Sequence, residues 1–408
     1  MANPLEGKNI ILGVTGSIAA YKAADIASKL TQQGALVNTV LTNPALEFVN
    51  PLTFQSVTGR KAYVDEDLWG GEGHVVHVQI GHSTDLLIIA PASANTIAKL
   101  AHGLADNLLT VTALAAACPI LIAPAMDAGM YSHPSTQENV KILKNRGVHF
   151  IGPDEGHLAS GLVGPGRMSE PTEINEFARW LFSRKNPLSG KKILITAGGT
   201  REAIDPVRYI SNHSSGKQGY TIAQAALDFG ADVILVSAPS NLRAPYGCHL
   251  IQVQSAEEMY NAVMAEIEST DALIMSAAVA DFKPEEMRKE KIKKEKGLTE
   301  IKLTKTRDII AEAAQQKKSK KLKLKIIGFA AESENLKKNA MKKMTEKGMD
   351  MIVANDITDP QAGFSVDTNK ALLIFSDGST EQLPLLQKSE VAEKVIQHLA
   401  NWLAEGAG

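Results

Sequence analysis

The residues able to do chemistry collect at the ends of apolar runs. The first run closes in Gly13-Val14-Thr15-Gly16-Ser17 and passes into a helical pattern. A glycine turn entering a helix offers its backbone N–H groups, and here the Ser17 hydroxyl, to a phosphate; the same turn also serves many sheets as plain packing. Later runs close in Leu41-Thr42-Asn43 and in Pro91-Ala92-Ser93-Ala94-Asn95-Thr96, small polar residues that can approach a ring and hydrogen-bond its edge. A fourth gives Pro124-Ala125-Met126-Asp127 with Met130-Tyr131 close by. A glycine-rich stretch then runs from Gly156-His157-Leu158-Ala159-Ser160-Gly161 to Gly164-Pro165-Gly166-Arg167-Met168, which reads as a surface connection or an active-site lid. His74, His77 and His82 fall within nine residues, a spacing that admits a polar surface loop, a metal site or acid–base work.

The second half repeats the theme. Lys192-Ile193-Leu194-Ile195-Thr196 leads into Ala197-Gly198-Gly199-Thr200-Arg201-Glu202. A polar stretch follows, from Asp205 through Asn212-His213-Ser214-Ser215-Gly216-Lys217, and reads as a loop ahead of a helix with Ala223, Ala226 and Leu227 inward. The arrangement suits an anionic ligand. A nicotinamide-binding domain would want G-x-G-x-x-G with an acid about 20 residues on, and Gly198-Gly199-Thr200-Arg201 does not provide it. HExxH, CxxC and EF-hand patterns are missing from both halves, so no structural metal is expected.

These motifs need strands that alternate with helices. Apolar runs at 9–14, 36–41, 85–90 and 120–123 are separated by helical patterns such as 18–30, where Ile18, Lys22, Ile26 and Leu30 share a face. Further runs stand at 192–196, 232–236, 272–275, 325–329 and 351–354. The tail differs: 371–375 with Asp377-Gly378 predicts a hairpin, closed by an amphipathic helix near 389–403. The lysine-rich segment 283–325 interrupts the rhythm and reads as a solvated, mobile loop. The fold class is α/β, two doubly wound Rossmann-like domains at 1–183 and 191–408, joined by a polar linker at 184–190.

Composition sets the outer bounds. At roughly 100–200 residues per domain, 408 residues hold two. With 44% apolar and 22% charged residues, and 43 basic against 45 acidic, the chain is neither a disordered acidic tail nor a globally basic nucleic-acid binder. The basic run 317–325 has no interleaved aromatics, and no nucleic-acid partner is expected. Two cysteines, Cys118 and Cys248, cannot build a disulfide framework, and no basic-then-apolar leader opens the chain, so a cytoplasmic location is expected. Residues 108–126 are uncharged over about the length of a bilayer span. Pro119 and Pro124 divide them into a buried helix and a buried strand, and no membrane partner is expected.

Taken in order, Gly16-Ser17-Ile18-Ala19-Ala20-Tyr21-Lys22, His77, the 91–96 and 124–126 motifs and 164–168 resemble the flavoprotein half of the bifunctional phosphopantothenoylcysteine decarboxylase/phosphopantothenate–cysteine ligase family. The run 205–219 resembles the ligase half. With it go Ala277-Ala278-Val279-Ala280-Asp281-Phe282, Lys291-Ile292-Lys293-Lys294, Thr306-Arg307-Asp308-Ile309, Gly328-Phe329-Ala330-Ala331-Glu332 and Ala354-Asn355-Asp356. The resemblance implies two steps of coenzyme A synthesis. In the first half it implies FMN held by Gly16, Ser17, Thr42, Ser93, Ala94, Asn95 and Thr96, with His77 catalytic; the cysteinyl carbon–sulfur bond is oxidised, carboxylate leaves, and hydride returns. In the second it implies that 4′-phosphopantothenate attacks CTP, pyrophosphate leaves, and the amine of cysteine displaces CMP. Asn212 and Lys291 would be catalytic there. Ala277, Asp281, Lys291, Thr306, Arg307, Asp308, Ile309, Phe329, Lys343 and Lys347 would bind CTP, with Mg²⁺ bridging its phosphates near Asp281. Spacing alone reads Lys343 and Lys347 as solvated helix charge. The partners implied are these small substrates and further copies of the chain, as flavoprotein trimers and ligase dimers in a homo-oligomer of up to twelve.

Four positions depart from the family pattern. Gly199 and Arg307 stand where prolines are common. Asp127 stands where the family has asparagine, and Ser160 where it has cysteine. An aspartate facing a substrate carboxylate is expected to have a raised pKa and to bind as the acid. Serine is a weaker acid than a thiol of pKa about 8.5. The expectation is that the pair compensates, with protonated Asp127, or His157 in the lid, supplying a proton. The alternative is an active ligase joined to a flavoprotein half that stalls or regulates.

Overall fold

The computed structural model describes residues 3–69, 76–292, 300–332, 335–356 and 366–405. The chain divides into two compact units between Phe182 and Ser183.

In the first unit six strands form one sheet: β1 (Asn9–Val14), β2 (Leu36–Leu41), β3 (Ala62–Tyr63), β4 (Leu86–Ala92), β5 (Ile120–Pro124) and β6 (His149–Phe150). Their order is β3-β2-β1-β4-β5-β6, and every neighbouring pair is parallel. The order reverses direction between β1 and β4, so a crevice opens at their carboxyl ends. β4 is buried at every position, as a strand covered on both faces must be. The helix Ala20–Gln32 turns Ala20, Ala23, Ile26, Ala27 and Leu30 inward. Ile18 does not share that face: the helix starts two residues later, Ile18 is 61% exposed, and Lys22 turns to Glu170 at 2.8 Å. The uncharged stretch becomes the helix Leu108–Ala115 followed by β5. Among the described residues no helix is long and apolar enough to cross a membrane. The glycine-rich stretch is an antiparallel hairpin, β7 (Asp154–His157) and β8 (Val163–Arg167).

The second unit contains β9 (Lys192–Ala197), β10 (Arg201–Asp205), β11 (Arg208–Ser211), β12 (Asp232–Ser237), β13 (His249–Gln252), β14 (Ala272–Met275), β15 (Phe282–Pro284), β16 (Leu303–Lys305), β17 (Lys325–Glu332), β18 (Met351–Asp356), β19 (Thr368–Phe375) and β20 (Thr380–Gln387). Eight of them order as β13-β12-β9-β14-β17-β18-β19-β20, parallel through β18 and antiparallel in the last two pairs. The hairpin β19–β20 runs directly into the helix Lys388–Glu405.

Two expectations change. The polar stretch after Asp205 is not a plain loop but the hairpin β10–β11, made by one carboxylate rather than by apolar alternation. Buried Asp205 accepts the N–H groups of Val207 and Arg208, both at 2.8 Å, the Arg208 guanidinium at 2.6 Å and the Ile292 N–H at 3.1 Å. The lysine-rich segment holds the antiparallel pair β15–β16 and the helix Ile309–Ser319, which buries Ile309 and Ala313; residues 285–291 are exposed and lie outside any strand or helix. Lys293 and Lys294 lie outside the described residues, as does His74. Each unit has its own core, around Ile11, Leu87, Ile89 and Ile122 in the first and Leu194, Leu273, Ile326 and Ile352 in the second.

Candidate functional site

In the first unit one hydroxyl ties two strand ends together. Thr15, 1% exposed, donates to the Pro91 carbonyl at 2.8 Å and accepts the Ser93 N–H at 2.9 Å. Ser93 in turn caps the helix Ala94–His102: its Oγ accepts the Thr96 N–H at 3.2 Å and lies 3.1 Å from Thr96 Oγ1. Buried Thr42 donates its N–H to Val14 at 3.1 Å. Gly16 lies so close to Pro44 that an added Cβ would stand 2.6 Å from the proline's own Cβ. Gly16, Ser17, Thr42, Ser93, Ala94, Asn95 and Thr96 therefore follow the carboxyl ends of three adjacent strands, β2, β1 and β4. His77 and His82 share the short helix Val76–His82. The Nδ1 of His77 is buried without a hydrogen-bond partner among the described residues.

A cavity of about 330 Å³ lies against the β7–β8 hairpin, lined by Ser17, Tyr21, Lys22, Met126, Asp127, His157, Ser160 and Arg167. It brings together Ser17, Asp127 and Ser160, but its lining does not include Thr42, His77 or residues 93–96. Ser160 donates its hydroxyl to Asp127 Oδ2 at 2.6 Å, and Gly129 donates its N–H to Asp127 Oδ1 at 2.9 Å. The Ser160 hydrogen bond first, and the Gly129 N–H second, hold the Asp127 carboxyl below the usual carboxylate range. That reverses the expected upward shift, because the side chain meets donors instead of an unpaired environment. Glu170 holds both Lys22, at 2.8 Å, and Arg167, at 3.0 Å.

The second unit has a cavity of about 800 Å³ at the carboxyl ends of β14, β17 and β18. Threonine hydroxyls build its wall. Thr196 accepts the Ala277 N–H at 3.1 Å, Thr200 accepts the Ala280 N–H at 3.0 Å, and Thr306 donates to the Ala280 carbonyl at 2.7 Å. The helix Lys217–Asp228 packs directly on β9 because Gly219 has no side chain; a Cβ there would stand 2.5 Å from that of Ala197. The lining includes Asn212, Ala277, Asp281, Thr306, Arg307, Asp308, Ile309, Phe329, Lys343 and Lys347. Asn212 donates its side-chain amide to the Val279 carbonyl at 3.1 Å. Lys347 pairs with Asp308 at 2.8 Å, so this lysine is not simply solvated helix charge. Arg307 sits 4.5 Å over the Tyr260 ring.

Lys291 is not brought to this cavity. It is exposed, next to Ile292, whose N–H is pinned by Asp205. Conversely, the cavity includes Lys305, Asn369 and Lys388, which carried no expectation as site residues, and Lys217, which was recognised only within the 205–219 motif. Asn355 and the Ser214–Gly216 turn also line it, although they were recognised only within longer motifs. Lys388 is 8% exposed and donates to the Val366 carbonyl at 2.5 Å. Burial, then the Lys217 charge, pushes its ammonium pKa down against the pull of Asp367. A buried lysine is rare enough to be a signal, but burial is not visible in a one-dimensional pattern. Gln218 Oε1 and Asn369 Oδ1 are buried without partners among the described residues. No group of three or more His, Cys, Asp or Glu side chains suited to a metal occurs among the described residues.

Known proteins share both units. Residues 2–182 match the Flavoprotein family, and residues 188–403 match the DNA/pantothenate metabolism flavoprotein C-terminal domain family. The coenzyme A biosynthesis bifunctional protein CoaBC of Bacillus subtilis (strain 168) is 44% identical over 399 residues, 97% of each chain. The protein of that name from Escherichia coli (strain K12) is 40% identical over 400 residues, also 97% of each. Among solved structures, the C-terminal domain of a CoaBC protein is 41% identical, with a TM-score of 0.47, over 54% of this chain and 100% of that one. A mutant PPC decarboxylase complexed with pantothenoylaminoethenethiol is 34% identical, with a TM-score of 0.40, over 43% of this chain and 99% of that one. Matched from end to end across both units, the chain belongs to the bifunctional coenzyme A biosynthesis family that joins phosphopantothenoylcysteine decarboxylase to phosphopantothenate–cysteine ligase.

Proposed function

We propose that residues 191–408 condense 4′-phosphopantothenate with cysteine at the expense of CTP, and that residues 1–183 use FMN to decarboxylate the product to 4′-phosphopantetheine. The observation that carries the reading is the 800 Å³ cavity, which gathers Asn212, Asp281, Phe329, Lys343 and Lys347 from separate segments of the chain. CTP is highly charged, and lysines around its phosphates stabilise charge that spreads over phosphoryl oxygens during attack. Asp281 and Phe329 frame the nucleotide, Thr306, Arg307, Asp308 and Ile309 close one side, and Asn212 holds the acyl carbonyl. Mg²⁺ would take one or two carboxylates together with substrate phosphates; Asp281 supplies the first. Lys291, exposed and outside the cavity lining, is proposed as a phosphate contact on the motif 291–294 alone.

The crevice of the first unit fits a flavin mononucleotide by its own features. Gly16 lets the turn lie against Pro44, where a Cβ would clash, the turn at Ser17 opens a helix and so suits a phosphate, and His77 Nδ1 is buried without a partner among the described residues. When bound, FMN supplies a two-electron acceptor and donor. The chain's part is to orient the cysteinyl group, exclude water and move protons. His77 stands apart from the Ser17–Asp127–Ser160 cavity within one chain, which agrees with a flavin placed between subunits of a trimer; ligase dimers would extend this to a dodecamer. We place the enzyme in the cytoplasm. Mass spectrometry of products from 4′-phosphopantothenate, cysteine, CTP and Mg²⁺, with flavin absorbance followed in parallel, tests the reading. Formation of 4′-phosphopantetheine is expected; a chain that makes neither it nor phosphopantothenoylcysteine is not this enzyme.

A further inference from the structure

Decarboxylation has a stoichiometric demand that the site must meet. The C–C bond breaks and CO₂ leaves without the bonding pair. The carbon left behind takes up one proton, while oxidation and re-reduction of the neighbouring carbon–sulfur bond cancel over a turnover. Some group in the cavity must give that proton. Seven side chains with exchangeable protons line it: Ser17, Tyr21, Lys22, Asp127, His157, Ser160 and Arg167. Ser17 is an alcohol, a poor acid, whose Oγ already accepts the Ala19 N–H at 3.3 Å. Ser160 has its proton committed to Asp127 at 2.6 Å, and an alcohol is a poor acid. Asp127 is held in its ionised form by Ser160 and Gly129. Lys22 and Arg167 are both fixed by Glu170, and a guanidinium does not deprotonate in proteins. Tyr21, 63% exposed, is a phenol, a class that keeps its proton far above neutrality.

His157 remains. It is the last residue of β7, three positions before Ser160 in a turn closed by Leu158 N–H to Leu162 O and Gly161 N–H to Leu158 O, both 2.9 Å. Among the described residues no hydrogen bond or ion pair engages its ring. Imidazole is the side chain suited to giving up a proton near neutral pH. We infer that His157 is the general acid of the decarboxylase site, delivering its proton to the carbon that loses CO₂, while the Ser160–Asp127 hydrogen bond fastens the lid that carries it. This rests on the decarboxylase reading above.

The test uses the full-length, flavin-containing protein with phosphopantothenoylcysteine as substrate, products being read by mass. His157→Gln is expected to lower 4′-phosphopantetheine formation about a hundredfold, the scale of general acid catalysis. Without air, the decarboxylated product lacking two hydrogens should form at one equivalent per flavin and leave the flavin reduced, with its visible absorbance bleached; the flavin content of the resting protein and ligase turnover stay at wild-type levels. Free imidazole should restore reduced product to His157→Gly, a rescue that a merely structural role would not give. Ser160→Ala should slow turnover through a looser lid yet still end at reduced product. Wild-type rates in His157→Gln, no rescue in flavin-replete His157→Gly, or oxidised product from Ser160→Ala in place of His157→Gln would each overturn the assignment. If the wild-type chain itself makes no 4′-phosphopantetheine, the decarboxylase reading falls; if it does and His157→Gln matches it, the role of His157 falls alone.

Discussion

Asp127 and Ser160 are separated by 33 positions. The 2.6 Å bond makes them one unit. Ser160→Ala should therefore return the Asp127 carboxyl towards its ordinary pKa, an upward move that a carboxyl-carbon NMR titration would detect; no movement would show that the bond does not form in solution. In the ligase unit, Lys347→Met removes a positive charge from the cavity and the ion pair with Asp308, which keeps, among the described residues, only the Ala311 N–H at 3.1 Å. The expected result is a KM for CTP raised about tenfold, with decarboxylation of supplied phosphopantothenoylcysteine unchanged, since weakly screened charge pairs of this kind are worth on the order of 1 kcal/mol. Lys291→Ala should give a similar loss although Lys291 does not line the cavity, and an unaltered KM would remove Lys291 from the nucleotide site.

At the scale of elements, strand ends were legible because each apolar run stops where its motif begins. Leu41-Thr42 and Pro91 to Thr96 could be placed before any topology was known. Short strands such as Ala62–Tyr63 and His249–Gln252 escaped, being too brief for any period to emerge. Asn369 and Lys388 escaped for another reason: they join the site through β19 and the last helix, over 150 residues from Lys217, and no local pattern encodes that. Two substitutions probe the joints between elements. Thr15→Val should strand the Ser93 N–H and leave the Pro91 carbonyl only the Thr15 N–H at 3.3 Å, destabilising the first unit by about 2 kcal/mol and weakening FMN binding; calorimetry and flavin titration would measure both. Burial would raise the Asp205 pKa, but the N–H groups of Val207, Ile292 and Arg208 outweigh it and hold it low. Its folded value thus lies below the unfolded one, so its contribution is complete above about pH 4 and is lost as pH falls through and below that value. Asp205→Asn should accordingly flatten the acid limb of the second unit's stability curve.

Across the whole molecule, two separate cores predict two unfolding transitions rather than one. A ligand stabilises only the unit that binds it, by about 2.7 kcal/mol at a hundredfold excess over Kd. FMN should raise one midpoint and CTP with Mg²⁺ the other; a single transition shifted equally by both would contradict independent units. The division at Phe182 and Ser183 has a further consequence. Because one polypeptide carries both cavities, every cell that makes the chain receives ligase and decarboxylase in a fixed one-to-one ratio. Expression cannot rebalance them, so the steady-state level of phosphopantothenoylcysteine is governed by the relative turnover and affinity of the two centres.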